Sequence, residues 1–145
     1  MTIFRDLHNN VDVERILSPI SAGTTGTGRT GKVFDRAGFR AVEILVSYGT
    51  VTATNATVTI VVKEGDVTGT MTSVADADLL GLESYASLGT AATRTSGVSK
   101  NVTKRIGYAG SKRYVTVTEV PTVSAGIIVG IDVVAAGPRQ MPVAT

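Results

Sequence analysis

Residues 105–120 carry the clearest folding signal of the chain, because they resemble two strands joined by one tight turn. In the second half of this stretch valines alternate with threonines, which is the two-residue period of a half-buried strand. Gly110-Ser111 is suited to a type II′ turn, since glycine accepts the positive φ that the first central position needs. The sequence therefore predicts a β-hairpin in which Tyr108 faces Arg113.

The same alternation predicts most of the other strands. It is clear at residues 41–47, 56–63 and 126–134, weaker at the proline-terminated edge strand 11–19, and brief at 71–74. A loop is expected at 48–55 and a turn at 64–66. Residues 75–85 are ambiguous between a helical turn and a loop, and their length favours the loop. We therefore expect an all-β fold: a single-domain antiparallel β-sandwich or barrel with long Gly/Thr-rich loops. The β domain is expected at 11–136, between a flexible N-terminal arm at 1–10 and a C-terminal tail at 137–145.

A Gly/Thr-rich segment at 21–32 has no large hydrophobic side chain, so it is expected to be a mobile surface loop. Its residues 26–32 match the first part of a phosphate-binding P-loop, which leaves nucleotide binding as an alternative function. Two features oppose that alternative. The Ser or Thr that should follow Lys32 is Val33, and the next residues predict a strand rather than the helix that such a loop requires.

Composition excludes several classes of function. The chain has 145 residues and no cysteine, so disulfides, thiolate metal sites and cysteine nucleophiles are excluded. Its net charge is +2, and the charges are interspersed without the basic stripe typical of a dedicated nucleic-acid binder. No apolar run has the length of a signal peptide or a spanning helix, and we expect no membrane partner.

No residue pattern indicates catalysis, and we expect no enzymatic activity and no cofactor. His8 is the only histidine, and it lies near Asp6 close to the N-terminus, which does not make a catalytic triad. Carboxylates occur in alternate positions at 64–66 and 76–78, but without the spacing of an EF-hand, so we interpret them as loop acids. A loose basic cluster surrounds the predicted hairpin and is expected to be a solvated strand face; its members are Lys100, Lys104, Arg105, Lys112 and Arg113.

Several runs together resemble small proteins encoded beside the major capsid gene of tailed bacteriophages and prophages, including capsid decoration (cement) and other head-associated proteins. The resemblance covers most of residues 10–135, and it is carried by residues 32–39 leading into 41–46, by 62–66, by 74–81 and by 106–117. It is a likeness of strands and loops and transfers no active-site residue.

The resemblance implies a virion structural protein, assembled in the host cytoplasm, that binds the outer shell formed by the major capsid protein. It also implies a homo-oligomer, with a trimer favoured. A ring-forming head-to-tail connector or tail-tube component remains an alternative. A carbohydrate-binding module is disfavoured because the chain has no Trp and only 5% aromatic residues. Partner contacts are expected at the two ends and at the tip of the predicted hairpin, at Ile3, Phe4, Leu7, Lys112, Arg113 and Arg139.

Overall fold

The protein is all-β, with two antiparallel sheets packed face to face. The computed structural model describes residues 6–52, 57–89, 100–123 and 126–138. Its strands are β1 (Val11–Ser21), β2 (Arg29–Thr30), β3 (Phe34–Asp35), β4 (Ala41–Val51), β5 (Val58–Val67), β6 (Thr70–Ser73), β7 (Leu79–Leu80), β8 (Val102–Tyr108), β9 (Tyr114–Pro121) and β10 (Ile127–Ala136). A 3₁₀ turn at Asp76–Asp78 and the one-turn helix α1 (Glu83–Ala86) flank β7.

Each sheet has five strands. The first sheet has the order β1-β10-β4-β8-β7. In the second, the order is β2-β9-β5-β6, and β3 also pairs with β9. The sheets are not closed on each other, so the fold is a sandwich and not a barrel. β1 is an edge strand, as predicted, and β10 lies inside its sheet between β1 and β4.

The core lies between the inner faces of the two sheets, and the alternating residues of the predicted strands fill it. Val42, Ile44 and Val46 of β4 point inward and are buried. Alternate residues of β5 and β10 are buried in the same way. β-branched side chains pack well on such pleated surfaces. Because one residue of slip would turn these side chains outward, the alternation fixes the register of the central strands.

The predicted hairpin is wrong in its pairing. Its two strands exist, but β8 pairs with β4 and β7 in the first sheet while β9 pairs with β5 in the second. Residues 109–113 therefore connect the two sheets, which lie about 10 Å apart in such sandwiches. Gly110 has no positive φ. A Cβ atom at this position would lie 2.5 Å from the Tyr108 hydroxyl, so glycine is needed here for close packing.

Three connections also differ from the sequence prediction. β4 continues through the expected loop as far as Val51, and β5 continues through the expected turn as far as Val67. The segment 75–85 is not a plain loop, because it forms the 3₁₀ turn, β7 and α1. In the part of the chain that the structure describes, no helix has the length and apolar character needed to cross a membrane.

Candidate functional site

The Gly/Thr-rich segment 22–31, called the strap below, is bonded to both sheets and is not the mobile loop that the sequence predicts. The backbone N–H of Ala22 donates to the Ile127 carbonyl of the first sheet at 2.9 Å. The N–H of Gly31 donates to the Val117 carbonyl of the second at 2.8 Å. Backbone hydrogen bonds thus hold the strap in place. The sequence analysis predicted a mobile loop because the segment has no large apolar side chains.

Glu119 of β9 lies under the strap and is fully buried. Its Oε1 accepts hydrogen bonds from the Arg29 Nε and from the backbone N–H of Gly23, both at 2.7 Å. Its Oε2 is buried and has no hydrogen-bond partner among the described residues. A buried charge is costly without a partner, so Arg29 is the group that makes this position tolerable for a carboxylate.

The Arg29 guanidinium also bonds to the first sheet. It donates to the Ser18 carbonyl of β1 at 3.1 Å and to the Val129 carbonyl of β10 at 2.9 Å. One side chain therefore joins β9 of the second sheet to two strands of the first. We call Arg29 and Glu119 together the clamp. The planar guanidinium carries its N–H donors in a fixed arrangement, which suits arginine for this bridging position.

Two glycines let the strap approach the clamp closely. Gly28 has a φ of +72°, a conformation that side chains disfavour, and a Cβ atom there would lie 1.7 Å from the Glu119 carbonyl oxygen. At Gly23 a Cβ would lie 2.6 Å from the Arg29 Cγ. The glycines of the strap thus serve dense backbone packing.

The P-loop-like residues 26–32 have a different local structure from a phosphate-binding loop. The N–H groups of Gly26 and Gly28 donate to backbone carbonyl oxygens, and the Lys32 ammonium pairs with Glu14. The next element is the strand β3, where a phosphate-binding loop would open a helix. These amides and this lysine are engaged within the protein.

The connection between β8 and β9 brings together two of the predicted contact residues, Lys112 and Arg113. The Lys112 ammonium pairs with Asp66 at 2.6 Å, and Arg113 forms a two-point contact with Asp35 at 2.7 and 3.0 Å. The hydrogen bond from Lys112 holds the pKa of Asp66 below its ordinary value, and that from Arg113 does the same for Asp35. Both cations remain partly exposed, but they are bonded to the strands β3 and β5 of their own chain.

The Tyr108 side chain holds this connection in place. Its hydroxyl donates to a Glu64 carboxylate oxygen and accepts the backbone N–H of Lys112 at 3.1 Å. The Arg36 guanidinium lies over the ring, 5.3 Å from its centroid. Burial, followed by the bond to Glu64, raises the pKa of Tyr108 to about 12. The side chain therefore stays protonated and holds the connection in place at neutral pH.

The other predicted contact residues lie at the chain ends. Leu7 is exposed and lines a small hollow with Val11 and Val13. Ile3, Phe4 and Arg139 lie outside the described residues. Of the three described residues, Lys112 and Arg113 lie together on the connection between β8 and β9, and Leu7 lines a different hollow.

The remaining members of the basic cluster do not form one patch of free charge. Arg105 pairs with Glu43 at 3.7 Å, and the Lys104 ammonium donates to the Ser87 carbonyl at 2.9 Å. Burial lowers the pKa of Lys104. In the described ranges, no group of three or more His, Asp or Glu side chains is placed to hold a metal ion.

The sequence analysis missed an exposed apolar segment at the β7 edge of the first sheet. Within residues 76–85, called the edge segment, Leu80 is 66% exposed, Leu82 48% and Tyr85 71%. The carboxylates of Asp76 and Asp78 precede them and form no ion pair with another described residue. Three large exposed apolar side chains within one short segment that follows two acids are of the kind found at protein-binding sites. The sequence signal was the apolar run after two acids.

No protein-family model matches the chain, and no curated protein matches it.

Proposed function

We propose that this chain is a non-enzymatic virion structural protein, a capsid decoration protein that binds the outer shell formed by the major capsid protein. The observation that carries the proposal is the edge segment. It presents Leu80 on the edge strand β7, Leu82 at the N-cap of α1 and Tyr85 within α1. The resemblance of the sequence to head-associated phage proteins supports the same function and includes part of this segment, residues 74–81.

The chemistry of the edge segment defines the surface that it would bind. Leucine and tyrosine side chains gain free energy when a partner removes them from water, at roughly 25 cal/mol for each Å² of apolar area. Asp76 and Asp78 add negative charge beside them. The complementary shell surface has an apolar depression with lysine or arginine residues at its rim, and the charges would mainly accelerate binding.

A rigid sandwich suits this role because binding then costs little ordering of the backbone. The two sheets are held together by the core, the clamp and the hydrogen bond from Tyr108 of β8 to Glu64 of β5. The proposal includes self-association as a trimer in the host cytoplasm before or during attachment to the particle.

Binding to empty shells assembled from the major capsid protein of the same virus tests the proposal. We expect the wild-type protein to co-sediment with the shells, and the variant Leu82→Ser/Tyr85→Ser to lose at least tenfold in affinity. The matched control is Ile20→Ser/Val67→Ser, which removes equally exposed apolar side chains elsewhere (56% and 63%) and should bind normally. Equal binding by both variants would exclude the edge segment as the binding surface. No binding by the wild-type protein would exclude the capsid decoration function.

Imaging separates the decoration function from its main alternative. Negative-stain images of the purified protein should show small trimers, and cryo-EM of intact particles should place the protein on the shell exterior. Closed rings of purified protein, or density at the neck or tail, would instead indicate a connector or tail-tube component.

A further inference from the structure

A trough lies on the outer face of the first sheet, at the end where β10 stops. Its floor includes Ala41 of β4 and Ala136 of β10, which are directly paired across the two strands. Leu80 and Arg40 also line it, and the volume is about 340 Å³. This size falls within the range of sites that bury apolar groups of a ligand or peptide.

Two side chains that line the trough, Leu80 and Arg40, lack a covering or pairing group among the described residues. Leu80 is 66% exposed. Arg40 forms no ion pair within the described ranges, although its backbone N–H donates to the Ala136 carbonyl at 3.1 Å. Small alanine side chains on a sheet leave a depression that a neighbouring chain segment can fill. The trough therefore offers a largely apolar floor, with Arg40 and the Arg105-paired Glu43 as its charged lining residues.

The chain itself leaves the sheet at this trough. After Ala136, Gly137 turns the backbone with a φ of +65°, and a Cβ atom there would lie 3.3 Å from the Arg40 Cβ. Pro138 follows, and residues 139–145 continue the chain with the apolar sequence Met141-Pro142-Val143. Only two residues, Gly137 and Pro138, separate this segment from Ala136 on the floor of the trough.

The length of this segment matches the distance that it would have to cover. Seven residues span at most about 23 Å when extended. Leu80 lies three strand spacings from β10, through β4 and β8, which is about 14 Å. A tether of two residues also gives the segment a high effective concentration at the trough, so a modest apolar contact is sufficient for binding within one chain.

We propose that residues 139–145 bind in the trough of their own chain, with Met141 and Val143 packed against Leu80 and the alanine floor. The bound segment covers the outer face of the sheet beside β7 and shields Leu80. The inference meets the proposed function at Leu80 alone, because Leu82 and Tyr85 lie outside the trough lining, and its test on the purified protein can fail independently of capsid binding.

The absence of cysteine from the sequence makes thiol chemistry a clean test. In the full-length Leu80→Cys protein, the added substitutions Met141→Asp/Val143→Asp should speed maleimide labelling by about fivefold or more, because they expel the segment. The matched control is Leu82→Cys, which lies outside the trough lining and should be labelled at the same rate in both backgrounds. An equal rate for Leu80→Cys in both backgrounds would overturn the proposal.

A disulfide experiment identifies the occupant. Under mild oxidation, Leu80→Cys/Met141→Cys should form a disulfide within one chain, seen as a monomer of altered mobility on a non-reducing gel. The comparison protein is Phe4→Cys/Leu80→Cys, which should not do so. Disulfide-linked dimers would instead identify a second copy as the occupant, and efficient bonding to position 4 would identify the N-terminal residues; either result would refute the proposal.

Discussion

Replacing Arg29 by alanine tests whether the clamp is the main polar link between the two sheets. The substitution leaves the Glu119 carboxylate buried without its cation and removes the donors to the Ser18 and Val129 carbonyls. Breaking a buried ion pair by removing one partner costs roughly 3–5 kcal/mol. The Arg29 side chain is 19% exposed, so we expect the lower end of this range, about 3 kcal/mol.

This loss converts into a measurable change in melting temperature. For a chain of 145 residues the entropy of unfolding is about 0.3 kcal/mol per kelvin, so about 3 kcal/mol corresponds to a Tm decrease of about 10 °C. Circular dichroism during heating and urea denaturation should both report it. The matched control is Arg15→Ala, which breaks an exposed pair with Asp132 at 3.5 Å and should cost about 0–1 kcal/mol.

A second substitution separates the buried charge from simple loss of packing. In Arg29→Ala/Glu119→Gln the uncompensated charge is gone, so the double variant should recover part of the stability that Arg29→Ala lost. A loss for Arg29→Ala no larger than for Arg15→Ala would refute the reasoning. So would a double variant whose loss equals the sum of the two single losses.

Three further predictions concern the strap and the connection between the sheets. Gly28→Ala should destabilise the protein at least twice as much as Gly26→Ala in urea denaturation: both glycines have positive φ, but only the Cβ at 28 meets backbone atoms. Tyr108→Phe should cost about 1.5 kcal/mol at pH 7. Because folding raises the pKa of Tyr108 from 10.0 to about 12, its contribution should be complete below pH 10 and be lost as the pH rises to about 12, and the Phe variant should lack this loss. The pKa of Asp35 is lowered by Arg113, so this pair stabilises the fold above pH 3.8 and is lost on further acidification; Asp35→Asn should flatten the acid side of the stability profile, and an unchanged profile would contradict this.

The central strands could be predicted because their burial follows directly from a two-residue period. Val42, Ile44 and Val46 alternate with exposed or half-buried positions, and the structure buries all three. The pairing of β8 with β9 could not be predicted in the same way. Two alternating strands separated by a short glycine-containing segment look alike whether they pair with each other or belong to opposite sheets.

Only one of the two clamp residues could be predicted from the sequence. Continuing the alternation from Val115 and Val117 by one step places Glu119 on the inner face, so a buried carboxylate could have been predicted. Its partner could not, because Arg29 lies 90 positions away in a segment without apolar anchors. The edge segment was missed because its short turn, strand and helix have no sustained period.

The position of β10 between β1 and β4 has a consequence for synthesis. β1 is made before the other described strands, yet among them its one sheet partner is β10, more than a hundred positions away in the chain. Until β10 has been translated, β1 has no neighbour and one edge of β4 is open, so the nascent chain presents unpaired strands to other chains. The Arg29 bond to the Val129 carbonyl likewise cannot form before then. Translation that stops before residue 127 should therefore yield aggregates, with completion of the sandwich following synthesis of its last strand.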